Sequence, residues 1–314
     1  MSRLVRRLRR GVKHISDAVI GAAAIGAIKA LRWFDPDRMA DFAGRTMRFI
    51  GPFLPEQRTG RENLTAAFPE KSPAEIHKIL AGVWDNLGRM GAEFANLDRL
   101  WDFDPEHPDR GRITGNAANI GRFLQLRDDG KPALIFCAHL ANWELPGIGA
   151  ASYDLDTAVL YRRPNIPAID RWLNETRTPH MGELISTERD APLKLAAALQ
   201  RGAHVGMLVD QYYVRGVPVM FFGRRTMANP LLARLARHFD CPIHGARIIR
   251  LPDHRFTGEI TEAVAPARDA EGKIDIAGTM QIITNVVEGW VREHPEQWLW
   301  LHRRWRPEDE RPGK

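Results

Sequence analysis

"PALIFCAHLANWELPGIGA" (residues 132–150) sets an uncharged apolar run against a histidine, then returns a tryptophan and a carboxylate within five residues. The run before His139 is short and continuous, as expected of a strand buried on both faces. An imidazole at its end is a packed core residue, a metal ligand or a general base. The rest of the chain bears on the choice. Similar runs recur at "TAVLY" (157–161), "AHVGMLV" (203–209), "PIHGARII" (242–249) and "FTGEI" (256–260). Helical patterns separate them around 116–127, 167–177, 190–201 and 227–239. Strands alternating with helices predict an α/β fold, with a mainly parallel sheet covered by helices. Ligands of such sheets bind beyond the carboxyl ends of the strands. His139, Arg162 and Asp210 each fall just past a predicted strand, so three polar groups converge on one rim.

Upstream the period is helical. Met39, Phe42, Ala43, Met47 and Ile50 recur at three- and four-residue steps, as do Ile76, Ile79, Leu80, Val83, Trp84, Leu87 and Met90. "KSPAEI" (71–76) offers Ser72 as N-cap, Pro73 at the first helical position and Glu75 at the third. The expected organisation is a membrane-anchoring helix over 1–34 followed by a single domain over 35–314. That domain is helical over 35–105, with a strand–helix core over 112–305.

The net charge of +6 is local. Residues 1–13 hold six basic side chains and no acidic one, so the other 301 residues balance 39 basic against 39 acidic. A nucleic-acid binder spreads positive charge over a face of its fold, and this distribution argues against one. The next segment, "HISDAVIGAAAIGAIKALRWF" (14–34), has a charge-free stretch of only 11 residues, short for a bilayer core of about 30 Å. A cationic helix lying in or dipping through an anionic leaflet is the expectation, with Trp33 and Phe34 in the interfacial belt. A cleaved signal peptide and an ordinary surface helix are the alternatives. The two cysteines, Cys137 and Cys241, form neither a disulfide framework nor a metal-ligand set.

Several residues can carry chemistry. A turn from the strand into a helix would return Glu144 to His139, where its carboxylate can hold one imidazole nitrogen and leave the other to take a proton from a hydroxyl. A core histidine beside a surface glutamate is the plain alternative. Cys137 is a rival nucleophile, but an apolar strand offers nothing to lower its pKa. His139 with Cys137 or Glu144 is not a usual metal spacing, and no metal is expected. In "YRRPNIPAID" (161–170), Arg162 or Arg163 can bind phosphate, or be a solvated loop arginine. Asp210 can orient that arginine or meet a substrate hydroxyl. "VPVMFFG" (217–223), ending in Phe222 and Gly223, can receive a hydrocarbon chain or be another core strand. "PEQWLWLHRRW" (295–305) reads as a packing strip or a lipid headgroup contact.

"HLANWE" resembles the histidine-x4-acid element of the lipid A late acyltransferases, the lauroyl and myristoyl transferases within the wider lysophospholipid acyltransferase superfamily. "YRRPNIPAID", "DQ" followed by "VPVMFFG", "LLARLARHFDCPI", "PEQWLWLHRRW" and "RENLTAAFP" resemble further elements of that family, so the likeness covers nearly the whole chain. Leu140 stands where many relatives carry an aromatic residue, and Glu144 where others carry aspartate. The resemblance implies an enzyme on the cytoplasmic face of the inner membrane. It would move an acyl chain from acyl carrier protein to a hydroxyl of a phosphorylated glycolipid, a lipid A precursor, without a further cofactor. His139 would be general base and Glu144 its partner. Arg162, Asp210, Phe222 and Gly223 would line the substrate site. Another glycolipid or lysophospholipid acceptor is the alternative, as is a non-catalytic membrane-binding member of the fold.

Overall fold

The computed structural model describes Ala22, Ile25, Gly26 and residues 29–306 without Asn165. The basic arm and most of the expected anchor lie outside the described residues. Three long helices come first: α1 (Pro36–Ile50), α2 (Glu56–Ala67) and α3 (Pro73–Glu93), followed by the single turn α4 (Leu97–Leu100). Ser72 caps α3 as read: its hydroxyl accepts from the Glu75 N–H, and the Glu75 carboxylate accepts from the Ser72 N–H at 2.8 Å. The reciprocal bonds satisfy two groups that a helix start leaves open. Ile76, Leu80, Val83, Trp84 and Met90 are buried. The α1 stripe departs from its reading, because Phe42 and Ile50 face outward.

Next come β1 (Ile113–Thr114), α5 (Ala117–Asp128), β2 (Leu134–Cys137), α6 (Leu145–Ser152), β3 (Thr157–Tyr161) and α7 (Pro167–Met181). Then follow β4 (Glu183–Ser186), α8 (Ala191–Gln200), β5 (His204–Leu208), β6 (Val217–Phe221), β7 (Arg224–Ala228) and α9 (Leu231–Phe239). The chain closes with β8 (Ile243–Arg250), β9 (Phe256–Ile260) and α10 (Ile276–Glu293). Seven strands form one sheet in the order β1-β9-β8-β2-β5-β3-β4. Every neighbouring pair is parallel except β8 with β9. β6 and β7 form a separate antiparallel hairpin, so the helix expected from 227 begins at Leu231 instead, after a strand. The "VPVMFF" run is the first strand of that hairpin.

Both faces of the sheet are covered. Leu134, Phe136, Val205 and Met207 pack with Leu195 and Leu199 of α8, Leu232 and Ala236 of α9, and Ile283 and Val287 of α10. Phe136 stacks on Trp290 at 5.5 Å between centroids. Gly245 of β8 makes room for that stack, since a Cβ there would sit 2.7 Å from both rings. On the other face, Ile248 and Phe256 pack with Leu145 and Ile148 of α6 and with Leu97 and Leu100.

A buried polar network joins the helical region to the strand ends. Glu93 of α3 accepts two bonds from the Arg250 guanidinium and one from the Asn142 amide at 2.9 Å. Asn86 accepts from Arg250 Nε at 2.9 Å and donates to the carbonyls of Ala141 and Gln297. Removing one partner of a buried pair leaves the other charge without compensation. Glu93→Ala should therefore lower stability by about 3–5 kcal/mol, read as a lower urea midpoint at unchanged slope.

Candidate active site

The register of the sheet builds the site. Cys137 of β2 lies opposite Leu208 of β5. Two residues further on each chain, His139 and Asp210 emerge side by side at the carboxyl end of the sheet. His139 Nδ1 lies 2.8 Å from Asp210 Oδ1, and the His139 backbone N–H donates to Asp210 Oδ2 at 2.8 Å. Trp298 Nε1 donates to the same Oδ2 at 2.7 Å. A carboxylate only accepts, so Nδ1 carries the imidazole proton and Nε2 keeps its lone pair. The Gln211 amide sits 3.2 Å from Nε2 and can donate to it. Trp143 meets the imidazole edge-on at 5.0 Å.

Asp210 is only 4% exposed. Burial pushes its carboxyl up, but the His139 charge, the two His139 bonds and the Trp298 bond outweigh burial and hold it at about 2. Burial, reinforced by the Asp210 charge, pushes the Cys137 thiol up to about 12. Cys137 is thus a neutral thiol at neutral pH, which removes the rival nucleophile. Among the described residues, no three histidine, cysteine, aspartate or glutamate side chains gather into a group able to hold a metal.

Glu144 does not hold the imidazole. Between it and His139 the chain turns through Ala141, at φ 49°, and the fully buried Asn142. Glu144 arrives at the start of α6, facing α7, where it is bidentate to Arg177 with Nε–Oε2 at 2.9 Å. Arg177 lies over the Phe94 ring at 5.3 Å. A direct strand-to-helix turn would have brought Glu144 back to His139, but the turn at Ala141 carries it toward α7 instead. Asp210 in turn orients His139, not Arg162. Of the two loop arginines, Arg163 pairs with Glu188 and Asp170, whereas Arg162 has no ion-pair partner among the described residues. Phe222 and Gly223 do not reach the site either. They form the hairpin turn, with Phe222 packed against Phe68, Phe221 and Trp300. "PEQWLWLHRRW" resolves largely as packing, with Trp298, Trp300, Arg304 and Trp305 all buried.

A cavity of about 970 Å³ begins at this rim. His139, Trp143, Glu144, Arg162, Arg177 and Gln211 line its upper part, with the exposed Arg215 and Arg234 beside them. It descends along one face of the sheet past Cys137, Ile135, Val159 and Gly206 to the buried Leu126, Leu155, Thr157 and His204. The walls are mostly hydrocarbon and the mouth is basic. Such a shape takes an apolar chain that carries a polar or anionic group at its upper end.

The sequence model of the bacterial lipid A biosynthesis acyltransferases matches residues 9–307. The chain belongs to this family. Lipid A biosynthesis acyltransferases move an acyl group, so the protein is an acyltransferase, with an acyl donor and a lipid A precursor as its implied substrates. No curated protein matches the chain closely enough to serve as a named relative. In this acyltransferase the histidine of "HLANWE" stands at the cavity mouth, and the basic groups gather around it. The residues missed from sequence are Arg177, Trp298 and Gln211 around the histidine and its neighbours, and Arg215 and Arg234 at the mouth. A signal for Gln211 was present in the "DQ" that follows β5.

The depressed Asp210 carboxyl has a consequence for acid stability. Its folded-state value of about 2 lies below the ordinary 3.8, so its contribution is complete above about pH 4 and is lost as pH falls toward 2. The stability advantage of wild type over Asp210→Asn should therefore hold near neutrality and shrink through that window. Denaturant melts of both proteins at a series of acid pH values would show it.

Proposed function

We propose that the protein transfers a fatty acyl chain from acyl carrier protein to a hydroxyl of a phosphorylated lipid A precursor, with the His139–Asp210 pair as general base. The observation that carries this reading is the 2.8 Å bond from Nδ1 to the buried Asp210 carboxylate, with Nε2 turned to an apolar cavity. Nε2 takes the proton of the acceptor hydroxyl as its oxygen attacks the thioester carbonyl carbon. Asp210 stabilises the imidazolium formed, as the acid of a catalytic triad does. When the tetrahedral centre collapses, the carbon–sulfur bond breaks and the imidazolium returns the proton to the departing thiolate. The transfer is direct, with no acyl-enzyme. Arg162, Arg215 and Arg234 supply positive charge for the carbonyl oxygen and for phosphate groups at the mouth. Glu144 is a positioning residue that anchors Arg177 and the start of α6.

The same reading places the enzyme on the cytoplasmic face of the inner membrane, held by its basic N-terminal segment. No helix among the described residues is long and apolar enough to cross a membrane. Support for surface attachment comes from the fold. Of the twelve large hydrophobic residues exposed in the described chain, seven lie between residues 33 and 54. On α1, Arg38, Phe42, Arg45 and Phe49 share the outward face at helical spacing. Phe49 packs edge-to-face with Phe53 at 6.2 Å, and both remain more than 70% exposed. The acidic residues of α1 turn inward: Asp37 pairs with Arg112 and Asp41 with Arg89. Aromatic rings interleaved with exposed arginines suit the interface of an anionic leaflet.

The reaction is tested by mass analysis of products from acyl-loaded carrier protein and a phosphorylated tetra-acylated lipid A precursor. Wild type should yield a product heavier by one acyl chain, and His139→Ala none. Asp210→Asn should lower kcat by about two to four powers of ten while remaining folded at neutral pH. Equal product from His139→Ala would reduce the histidine to a packing role. Phe42, Phe49 and Phe53 changed together to serine should weaken co-sedimentation with anionic vesicles at least about tenfold, leaving the melting temperature unchanged or higher, since the three rings are solvent-exposed.

A further inference from the structure

One wall of the cavity is built by a glycine that the backbone does not need. Gly206 occupies the middle of β5, between Ile135 of β2 and Val159 of β3 in register. Its φ is not left-handed, and a Cβ built on it would meet a single neighbour, Val159 Cγ2, at the ordinary distance of 3.8 Å. Glycine weakens a strand interior, and its presence there often marks a place where a ligand comes close. Conformation and crowding therefore both leave Gly206 unexplained, whereas Gly245 on β8 is explained by the stacked rings beneath it. What Gly206 does provide is open space in the cavity, where Cys137 and Leu208 stand above it and His204 and Thr157 below. Across the cavity, the lining residues from α6 are also small: Pro146, Gly147 and Ala150.

We infer that Gly206 sets the length of the acyl chain this enzyme accepts, by keeping the lower half of the cavity continuous with the half next to His139. The inference rests on the acyl-transfer reading. A thioester carbonyl reacting at His139 has its hydrocarbon directly behind it, so the donor chain enters at the rim and runs down the strand face. From Leu208 to His204 is four strand steps, about 13 Å, and Gly206 lies about 6.6 Å down. A bulky side chain at 206 removes that lower half, equal to about five methylenes of an extended chain. Each methylene kept from burial costs a factor of about four in affinity or kcat/KM.

The test uses the full-length protein as wild type, Gly206→Val and Gly206→Leu, with saturated donors of graded length on acyl carrier protein. Both variants should keep transfer from short donors, with an optimum about four carbons shorter than wild type. For the chain wild type prefers, kcat/KM should fall at least about 60-fold, three or more methylenes being displaced. Valine fills less space and suits a strand, so it guards against a leucine variant that fails to fold. The second measurement is calorimetric binding of free saturated fatty acids of the same lengths, which needs no turnover. If wild type transfers nothing but the variants still lose affinity for long acids and keep it for short ones, the reaction reading fails and the depth gauge stands. If the variants lose all lengths equally, or keep the wild-type optimum in both assays, Gly206 does not set the length.

Discussion

A buried carboxylate must be given donors, and in this protein Asp210 draws three separate parts of the chain together to supply them. One oxygen faces His139 Nδ1, and the other takes the His139 backbone N–H and the Trp298 indole. β5 supplies the acid, β2 the imidazole and the C-terminal strip the indole. None can move without leaving a charge desolvated and unsatisfied, which costs far more than a bond gained in water. The requirement fixes the tautomer of His139 and, with it, the direction in which its basic nitrogen points. The C-terminal strip is held in turn by Asn63 of α2, whose amide donates to the carbonyls of Trp300 and His302 at 2.8 Å. A helix near the start of the described chain thereby steadies the acid at the far side of the sheet.

The turn after His139 is controlled from elsewhere. Ala141 adopts a backbone conformation that costs a non-glycine residue energy. Its carbonyl and N–H are both held, by Asn86 and by the Gln297 carbonyl. Asn142, fully buried, reaches Glu93. This explains why the N-terminal helices belong to the catalytic architecture although none of α1 to α3 lines the large cavity. Among them α3 holds the strained turn through Asn86 and Glu93, and the turn sets where Glu144 goes. Its pairing with Arg177 then pins α6 to α7, two of the helices that line the cavity.

The expected strands and most of the expected helices could be read because their signals are local. The "FTGEI" strand and the Ser72 cap depend on residues within a few positions of each other. The rim was legible for a related reason: a parallel sheet puts all its carboxyl ends on one side, so His139, Arg162 and Asp210 had to converge. Partnership within that rim was not legible. The His139–Asp210 contact is set by the pairing of β2 with β5, whose residues are 71 apart in sequence, and no local pattern encodes that register. Proximity in sequence favoured Glu144 instead, and the Ala141 turn defeated it. The hairpin misled in another way. "VPVMFFG" is apolar enough to line a chain site, but its β6–β7 pairing turns it onto α10 and the C-terminal tryptophans.

The two faces of the sheet make opposite use of the same backbone. On one, Leu134, Phe136, Val205 and Met207 pack against three helices with large rings and branched chains, and the interior is filled. On the other, the alternate residues of the same strands, Ile135, Cys137, Gly206 and Leu208, face a space of about 970 Å³. A folding chain normally closes such a space, because apolar walls without contacts forfeit dispersion and hydrophobic stabilisation. It persists here because its roof is supported independently of what it encloses. The Glu144–Arg177 pair ties α6 to α7, and the Glu93 network fixes the turn from which α6 departs. Glu144, expected from spacing to partner the imidazole, thus braces two walls of the cavity beside it. Chemistry at the rim and room beneath it have separate causes in the sequence, and so can be altered separately.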